Sequence, residues 1–229
     1  MEDVFYSYSP EKIKDFQEIC HFSRKLCTMP DNAILEQFYK KVLETTHKYP
    51  REKLEEEPDR EKILREEAFD EILRVKARKQ GRPTPINPST ILNKEWTFGK
   101  GSLSRSREEK NYESLKKSLD VFFQTKCHAV GHLFYPKGGY RMWHTNKYDM
   151  DGWLMFLVHV DVLNQSFIRY IHPETKEVIT HWDTAPFSVN FFHINFNDPL
   201  WHCIAADGTN RWCQGFLVPP NWRDFIHST

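Results

Sequence analysis

From Cys127 onward the chain breaks into short apolar runs at regular spacing. They are divided by Pro136-Lys-Gly-Gly139, Asp149-Met-Asp-Gly152, His172-Pro-Glu-Thr175, Asn197-Asp-Pro199 and Asp207-Gly-Thr-Asn210. Dividers of this kind, rich in Gly, Pro, Asn and Asp, end a strand and turn the chain within a few residues. A run of such strands closes its hydrogen bonds most simply as an antiparallel sandwich or barrel. Aromatic residues make up 14% of the chain and fall mostly in this half, which suits a β-structure packed with Trp and Phe. Trp182 to Pro186 and Ser188 to Ile194 supply the middle strands.

Before Cys127 the apolar period is helical. Ile13, Phe16, Ile19 and Cys20 recur at that spacing, as do Ile34, Leu35, Phe38, Val42 and Leu43. Ser9-Pro10-Glu11 has the form of a helix start, and Asp31 or Asn32 can cap the next helix. Residues 51–80 are dense in charge around one apolar stripe of Ile63, Leu64, Phe69, Ile72, Leu73 and Val75, and the charges read as a solvated face. Residues 80–88 hold three prolines and cannot continue a helix. Residues 98–110 read as an exposed loop. Gly99-Lys100-Gly101 lacks the rest of a phosphate-loop pattern. Leu115, Leu119, Phe122 and Phe123 return to helical spacing. The expected architecture is α+β, with a helical region and linker over 1–126 and a β core over 127–229, together one compact unit.

With 229 residues the chain can bury a full core. Lys plus Arg equals Asp plus Glu at 32 each, so no overall charge points to nucleic acid. No cationic start with a following apolar stretch marks a secretory signal, and no run of about 18 apolar residues marks a membrane span. A cytoplasmic protein is the expectation. Five cysteines, Cys20, Cys27, Cys127, Cys203 and Cys213, are odd in number and fit neither a zinc ribbon nor a disulfide framework, so reduced thiols are expected.

The chemistry concentrates in Tyr135-Pro-Lys-Gly-Gly-Tyr-Arg-Met-Trp-His144-Thr-Asn146, with Trp201-His202 and Arg211 further on. On an extended strand residues two apart share a face, so His144 and Asn146 can converge on one point. Ile204 to Cys213 reads as two short strands around a Gly-containing turn. If Asp207 faces Asn210, then Ala206 faces Arg211 and His202 faces Gly215, and His202 and Arg211 project from the same face of that hairpin. Two imidazoles and a cation aimed into one pocket describe a metal site that holds an anionic co-substrate.

This pattern resembles the iron(II)- and 2-oxoglutarate-dependent oxygenases, whose His-x-Asp/Glu pair and distal His bind iron with open positions. The small prolyl-4-hydroxylase-like and phage-type members are the nearest in feel. The resemblance covers roughly Cys127 to Pro219 and implies a double-stranded β-helix, or jelly roll, with the helices packed outside its larger sheet. It makes His144 the proximal ligand, His202 the distal ligand and Arg211 the partner of the far carboxylate of 2-oxoglutarate. It also matches Phe167 to Glu177 to the hairpin that follows the proximal motif, and places Tyr135 where related enzymes touch the co-substrate. The implied reaction is oxidative decarboxylation of 2-oxoglutarate by iron(II) and O2, coupled to oxidation of a small-molecule or protein side-chain substrate.

The carboxylate position is Asn146, and three readings stay open. Asn146 binds weakly or not at all, leaving a two-His site like that of the halogenases and some hydroxylases. Asp149 or Asp151 swings in from the following loop. Or the site is dead or takes another metal. His159-Val-Asp161 is a literal His-x-Asp, but it lies in a nearly continuous apolar run that reads as a strand buried on both faces. Arg169 shares a strand face with Phe167 and Ile171, and would enter the pocket only if that face is interior. Trp143, Trp201 and Trp212 read as core, and His128, His132, His181 and His193 as structural. Two other functions remain: a non-catalytic cupin-like binding protein with a degenerate metal site, and a two-His dioxygenase that does not use 2-oxoglutarate. Arg211 argues against the latter, and Asn146 keeps the former open.

Overall fold

The structure, a computed structural model, describes residues 4–46, 50–79, 96–98, 103–105, 110–146 and 151–226. The linker at 80–88, the glycines at 99 and 101, and Asp149 lie outside the described residues.

Eleven strands form two antiparallel sheets among the described residues. The strands are β1 (Phe5–Tyr8), β2 (Trp96–Phe98), β3 (Leu103–Arg105), β4 (His128–Tyr135), β5 (Gly139–His144) and β6 (Gly152–Val160). They continue as β7 (Ser166–Ile171), β8 (Val178–Trp182), β9 (Phe187–Ile194), β10 (His202–Ala206) and β11 (Arg211–Val218). The large sheet has the order β1-β9-β6-β11-β4-β3-β2, and the small sheet β5-β10-β7-β8. Eight strands thus lie between 128 and 218, and the chain passes repeatedly from one sheet to the other. The dividers read from the sequence are where it turns. At Pro136–Gly139, Gly138 takes φ +81° and the Gly139 N–H donates to the Pro136 carbonyl at 2.6 Å. That left-handed third position is the one a type II turn requires of glycine.

The region before Cys127 carries the helices α1 (Gln17–Lys25), α2 (Asn32–Thr46), α3 (Arg60–Lys79) and α4 (Lys110–Phe122); α5 (Arg223–Ile226) follows the sheets. Asp31 caps α2 by accepting the Ile34 N–H at 2.9 Å. Ser9 does not act as expected. Its hydroxyl goes to Glu11, Pro10–Lys12 is a single 3-10 turn, and the helix proper begins at Gln17. The same region also contributes three strands, with β1 completing one edge of the large sheet beside β9 and β2 and β3 extending the other.

Period-two alternation sorts the strands between two cores. Ile19, Leu115, Leu119, Met155, Leu157, Phe191 and Phe216 bury α1 and α4 against the outer face of the large sheet. Tyr135, Leu154, Val158, Ile168, Tyr170, Phe192, Ile204 and Cys213 fill the space between the sheets. Leu54, Trp143, Phe167 and Trp201 cover the outer face of the small sheet, where Ile63 and Leu64 of α3 join them. Phe69, Ile72 and Val75 of the α3 stripe do not share that burial and are exposed. None of the five cysteines forms a disulfide. Burial pushes the Cys203 thiol up to about 12 and that of Cys213 to about 11.

The expected β10–β11 hairpin does not form. β10 pairs with β5 and β7, whereas β11 pairs with β4 and β6. Residues 207–210 therefore carry the chain between sheets, so Ala206 does not face Arg211 and His202 does not face Gly215. Cys203 lies on the outer face of the small sheet and Cys213 in the interior, so they are not cross-strand neighbours. The physical reason is that each strand buries more apolar surface between two flanking strands than in a two-stranded ribbon.

Candidate functional site

His144 ends β5 and His202 begins β10, and the two are direct cross-strand partners. Their ring centroids are 4.0 Å apart and both residues are buried. His144 Nδ1 lies 2.7 Å from the Met142 carbonyl, and His202 Nδ1 lies 2.9 Å from the Leu200 carbonyl. A carbonyl only accepts, so both Nδ1 atoms carry a proton, which in a neutral ring leaves the lone pair on Nε2. This is the tautomer and the backbone tie that metal-binding histidines use. Burial lowers the His202 pKa to about 4, against the smaller opposing effect of the Leu200 carbonyl, so the ring is neutral near pH 7.

Asn146 reaches the same point by a different route from the one expected. β5 ends at His144, and Asn146 has the left-handed φ of +56°. Its Nδ2 lies 3.3 Å from His202 Nε2, while Arg141 Nη2 donates to its Oδ1 at 3.0 Å. The guanidinium therefore fixes the amide orientation, with nitrogen toward the histidines and oxygen away. In this arrangement Asn146 offers no lone pair to a metal. Among the described residues no cluster of three or more His, Cys, Asp and Glu side chains is placed to hold an ion. Asp151 is exposed just ahead of β6.

Arg211 projects into the same intersheet interior and is buried. It is not alone there. Its Nε donates to Asp183 Oδ2 at 2.9 Å, and Ser166 Oγ donates to the same oxygen at 2.5 Å. Burial opposes the charge on Arg211, but the Asp183 carboxylate more than offsets it and raises its pKa. Arg211 Nη1 and Asp183 Oδ1 remain buried without a hydrogen-bond partner in the structure. Tyr135 is the cross-strand partner of Arg211, with the guanidinium 5.9 Å from its ring centroid. The Nη1 atom offers one carboxylate contact, not the two-pronged clamp that an unpaired arginine would give.

The other candidates lie elsewhere. His159 points away from the interior, bonding Ser23 Oγ of α1 at 2.7 Å and stacking on Phe187 at 3.9 Å. Asp161, its partner in the literal motif, binds Thr209 and the backbone and side chain of Asn210. Arg169 is on the outer face of the small sheet, donating to Thr180 at 2.8 Å, to the Leu54 carbonyl at 3.0 Å and to Glu55. Trp143, Trp201 and Trp212 are buried in core clusters.

Sequence reasoning missed Arg141, Asp183 and Glu67. Arg141 carried a signal: in β5 it stands five residues before Asn146, in the same motif. Asp183 was read only as part of a strand, and Glu67 as one charge among many on a solvated helix.

No family model matches the chain, and no curated protein matches it. Among solved structures it is similar to a prolyl-4-hydroxylase from Pseudomonas putida, at 12% identity and a TM-score of 0.34, over 66% of this chain and 86% of that one. It is also similar to an oxidoreductase of the 2OG-Fe(II) oxygenase family from Burkholderia pseudomallei, at 7% identity and 0.35, over 51% and 61%. A third is AviO1 from Streptomyces viridochromogenes Tue57, at 13% identity and 0.34, over 69% and 86%. TM-scores this low do not establish a shared fold, and the two-sheet architecture stands on the strand pairing itself. No helix among the described residues is long and apolar enough to cross a membrane.

Proposed function

We propose that the chain is an iron(II)- and 2-oxoglutarate-dependent oxygenase with a double-stranded β-helix core over 127–229. The observation that carries this reading is the His144–His202 pair, two buried imidazoles on adjacent strands with both Nδ1 atoms tied to backbone carbonyls. Such a donor pair suits a first-row divalent ion. His144 and His202 would hold it. Asn146, turned away by Arg141, stands outside the ligand set in this reading, which leaves a two-histidine site. Arg211, through Nη1 and beside Tyr135, would take the distal carboxylate of 2-oxoglutarate. Iron bound there would supply oxidative chemistry with O2 and 2-oxoglutarate. The substrate would be a small molecule or a protein side chain.

The protein's own side chains have separable tasks. The histidines present neutral nitrogen, Arg211 orients a carboxylate, and the apolar interior around Tyr170, Phe192 and Ile204 excludes water. The Arg141–Asn146 contact also favours a second reading, a cupin-like binding protein whose metal site has lost its carboxylate.

Anaerobic titration with iron(II) and then 2-oxoglutarate separates the two. The oxygenase reading expects a visible metal-to-ligand charge-transfer band that His202→Ala abolishes. Iron binding without 2-oxoglutarate binding, or no binding at all, refutes it.

A further inference from the structure

We infer that Glu67, on helix α3, is a positioning residue for the two-histidine site, and this inference rests on the metal reading proposed above. The Thr145 N–H donates to Glu67 Oε1 at 2.7 Å, and the Thr145 hydroxyl donates to Glu67 Oε2. Thr145 is completely buried and stands between His144 and Asn146. One carboxylate, brought from 78 positions away in sequence, thus fixes both the backbone and the side chain of the residue that joins them.

The need for such a brace follows from the local geometry. β5 ends at His144, so Thr145 and Asn146 lack the strand ladder that would otherwise set their backbone. Asn146 adopts a left-handed φ, which an asparagine tolerates but which a free loop does not hold by itself. Hydrogen bonds to an ionised acceptor are the stronger kind, and two of them converge on Thr145. The His144 ring is fixed from the strand side by the Met142 carbonyl, and its main chain is fixed from the loop side by Glu67. Glu67 bonds Thr145 and not the imidazoles, whose Nδ1 atoms are held by the Met142 and Leu200 carbonyls, so it acts through the main chain that sets where the His144 ring sits. Losing a residue that orients a ligand typically lowers metal affinity by about 10–100-fold.

The test uses cobalt(II) as the probe in anaerobic titrations of the full chain, reading the dissociation constant and the visible d–d spectrum. Glu67→Gln, which keeps the shape but not the charge, is expected to bind cobalt(II) about tenfold or more weakly, with an altered spectrum. Its circular dichroism and melting temperature should stay near those of the parent, which separates positioning from folding. Thr145→Ser keeps both donors and should behave like the parent. Thr145→Val keeps only the N–H and should fall between parent and Glu67→Gln. It provides the same reading should Glu67→Gln fold poorly. Parent-like affinity and spectrum in both Glu67→Gln and Thr145→Val would overturn the inference while leaving the metal site standing. A parent chain that binds no cobalt(II), or binds it unchanged after His202→Ala, would overturn the site and the inference together.

Discussion

Arg211 and Asp183 form a buried ion pair between the two sheets, Nε to Oδ2 at 2.9 Å, and each keeps one further polar atom without a partner. The pair gives the interior a cation whose charge is already matched. On the function proposed above, a dianionic co-substrate would share that cation with a resident carboxylate.

Two substitutions separate these roles. Arg211→Ala is expected to weaken 2-oxoglutarate about tenfold or more, since removing one partner of a buried charge pair costs on the order of 2–5 kcal/mol. Asp183→Asn leaves Arg211 uncompensated, so denaturant unfolding should show a loss of about 3–5 kcal/mol. Added 2-oxoglutarate should restore part of that loss, and its stabilising effect should exceed the effect on the parent. Arg169→Ala, on the opposite face of the small sheet, should leave co-substrate affinity unchanged. Calorimetric titration of the three variants would show whether Arg211 is the anion's partner.

Asn146→Asp tests the missing ligand. A carboxylate has two acceptor oxygens, so one can stay with Arg141 while the other faces His202 and a bound ion. Aspartate also tolerates the left-handed backbone at this position. Iron(II) should bind more tightly, because a carboxylate suits a dication better than an amide. Turnover should be unchanged or lower, because the pocket is arranged around a neutral group. Unchanged iron affinity in this variant, with binding lost in Asp151→Ala, would put the third ligand in the following loop.

His159 predicts a pH dependence. Burial, with a smaller effect from Arg24, lowers its pKa to about 3. In the unfolded chain it titrates near 6.5, so the unfolded state binds the extra proton first. Stability from this residue is therefore complete above about pH 6.5 and falls as pH drops toward 3, by at most about 1.4 kcal/mol per pH unit. His159→Gln should lower stability at pH 7 and flatten this acid slope. A parallel slope in parent and variant, followed by urea unfolding from pH 7 to 4.5, would assign it elsewhere.

Gly215 is a packing test away from His144 and His202. A Cβ there would lie 2.5 Å from Phe156 Cε1 and 2.9 Å from Val130 Cγ2. Gly215→Ala should cost about 1–3 kcal/mol, since an interior this close-packed absorbs an added methyl only by displacing its neighbours. Urea midpoints of parent and variant would measure it.

The β-rich half was legible because its turns advertise themselves: Gly138 in its left-handed position and the segment 207–210 both mark real reversals. Asp31 was legible as a cap for the same local reason. His144 and His202 were singled out by their neighbours in the chain, and the strand register brings them together. What stayed hidden depends on which strands flank which. Period-two alternation put Arg211 on a definite face, but it could not show that β10 and β11 belong to different sheets or that Asp183 waits opposite. Glu67 was hidden because a carboxylate on a charged helix looks solvated until a buried threonine is found beside it.

The position of β11 has a bearing on how the protein comes into being. In the large sheet it lies between β4 and β6, and β10 lies between β5 and β7, so the last two strands of the sheets are inserted among earlier ones. A chain emerging from the ribosome has β4 and β6 with a vacant lane between them until residues 211–218 arrive. Until then the facing edges of β4 and β6 present unpaired backbone N–H and C=O groups beside apolar side chains, the condition under which nascent β-chains stick to one another. Closure of both sheets only after residues 202–218 have emerged is the order this topology implies. The His144–His202 pair would then be completed in nearly the same event, because β10 delivers His202 just ahead of the strand that locks the large sheet.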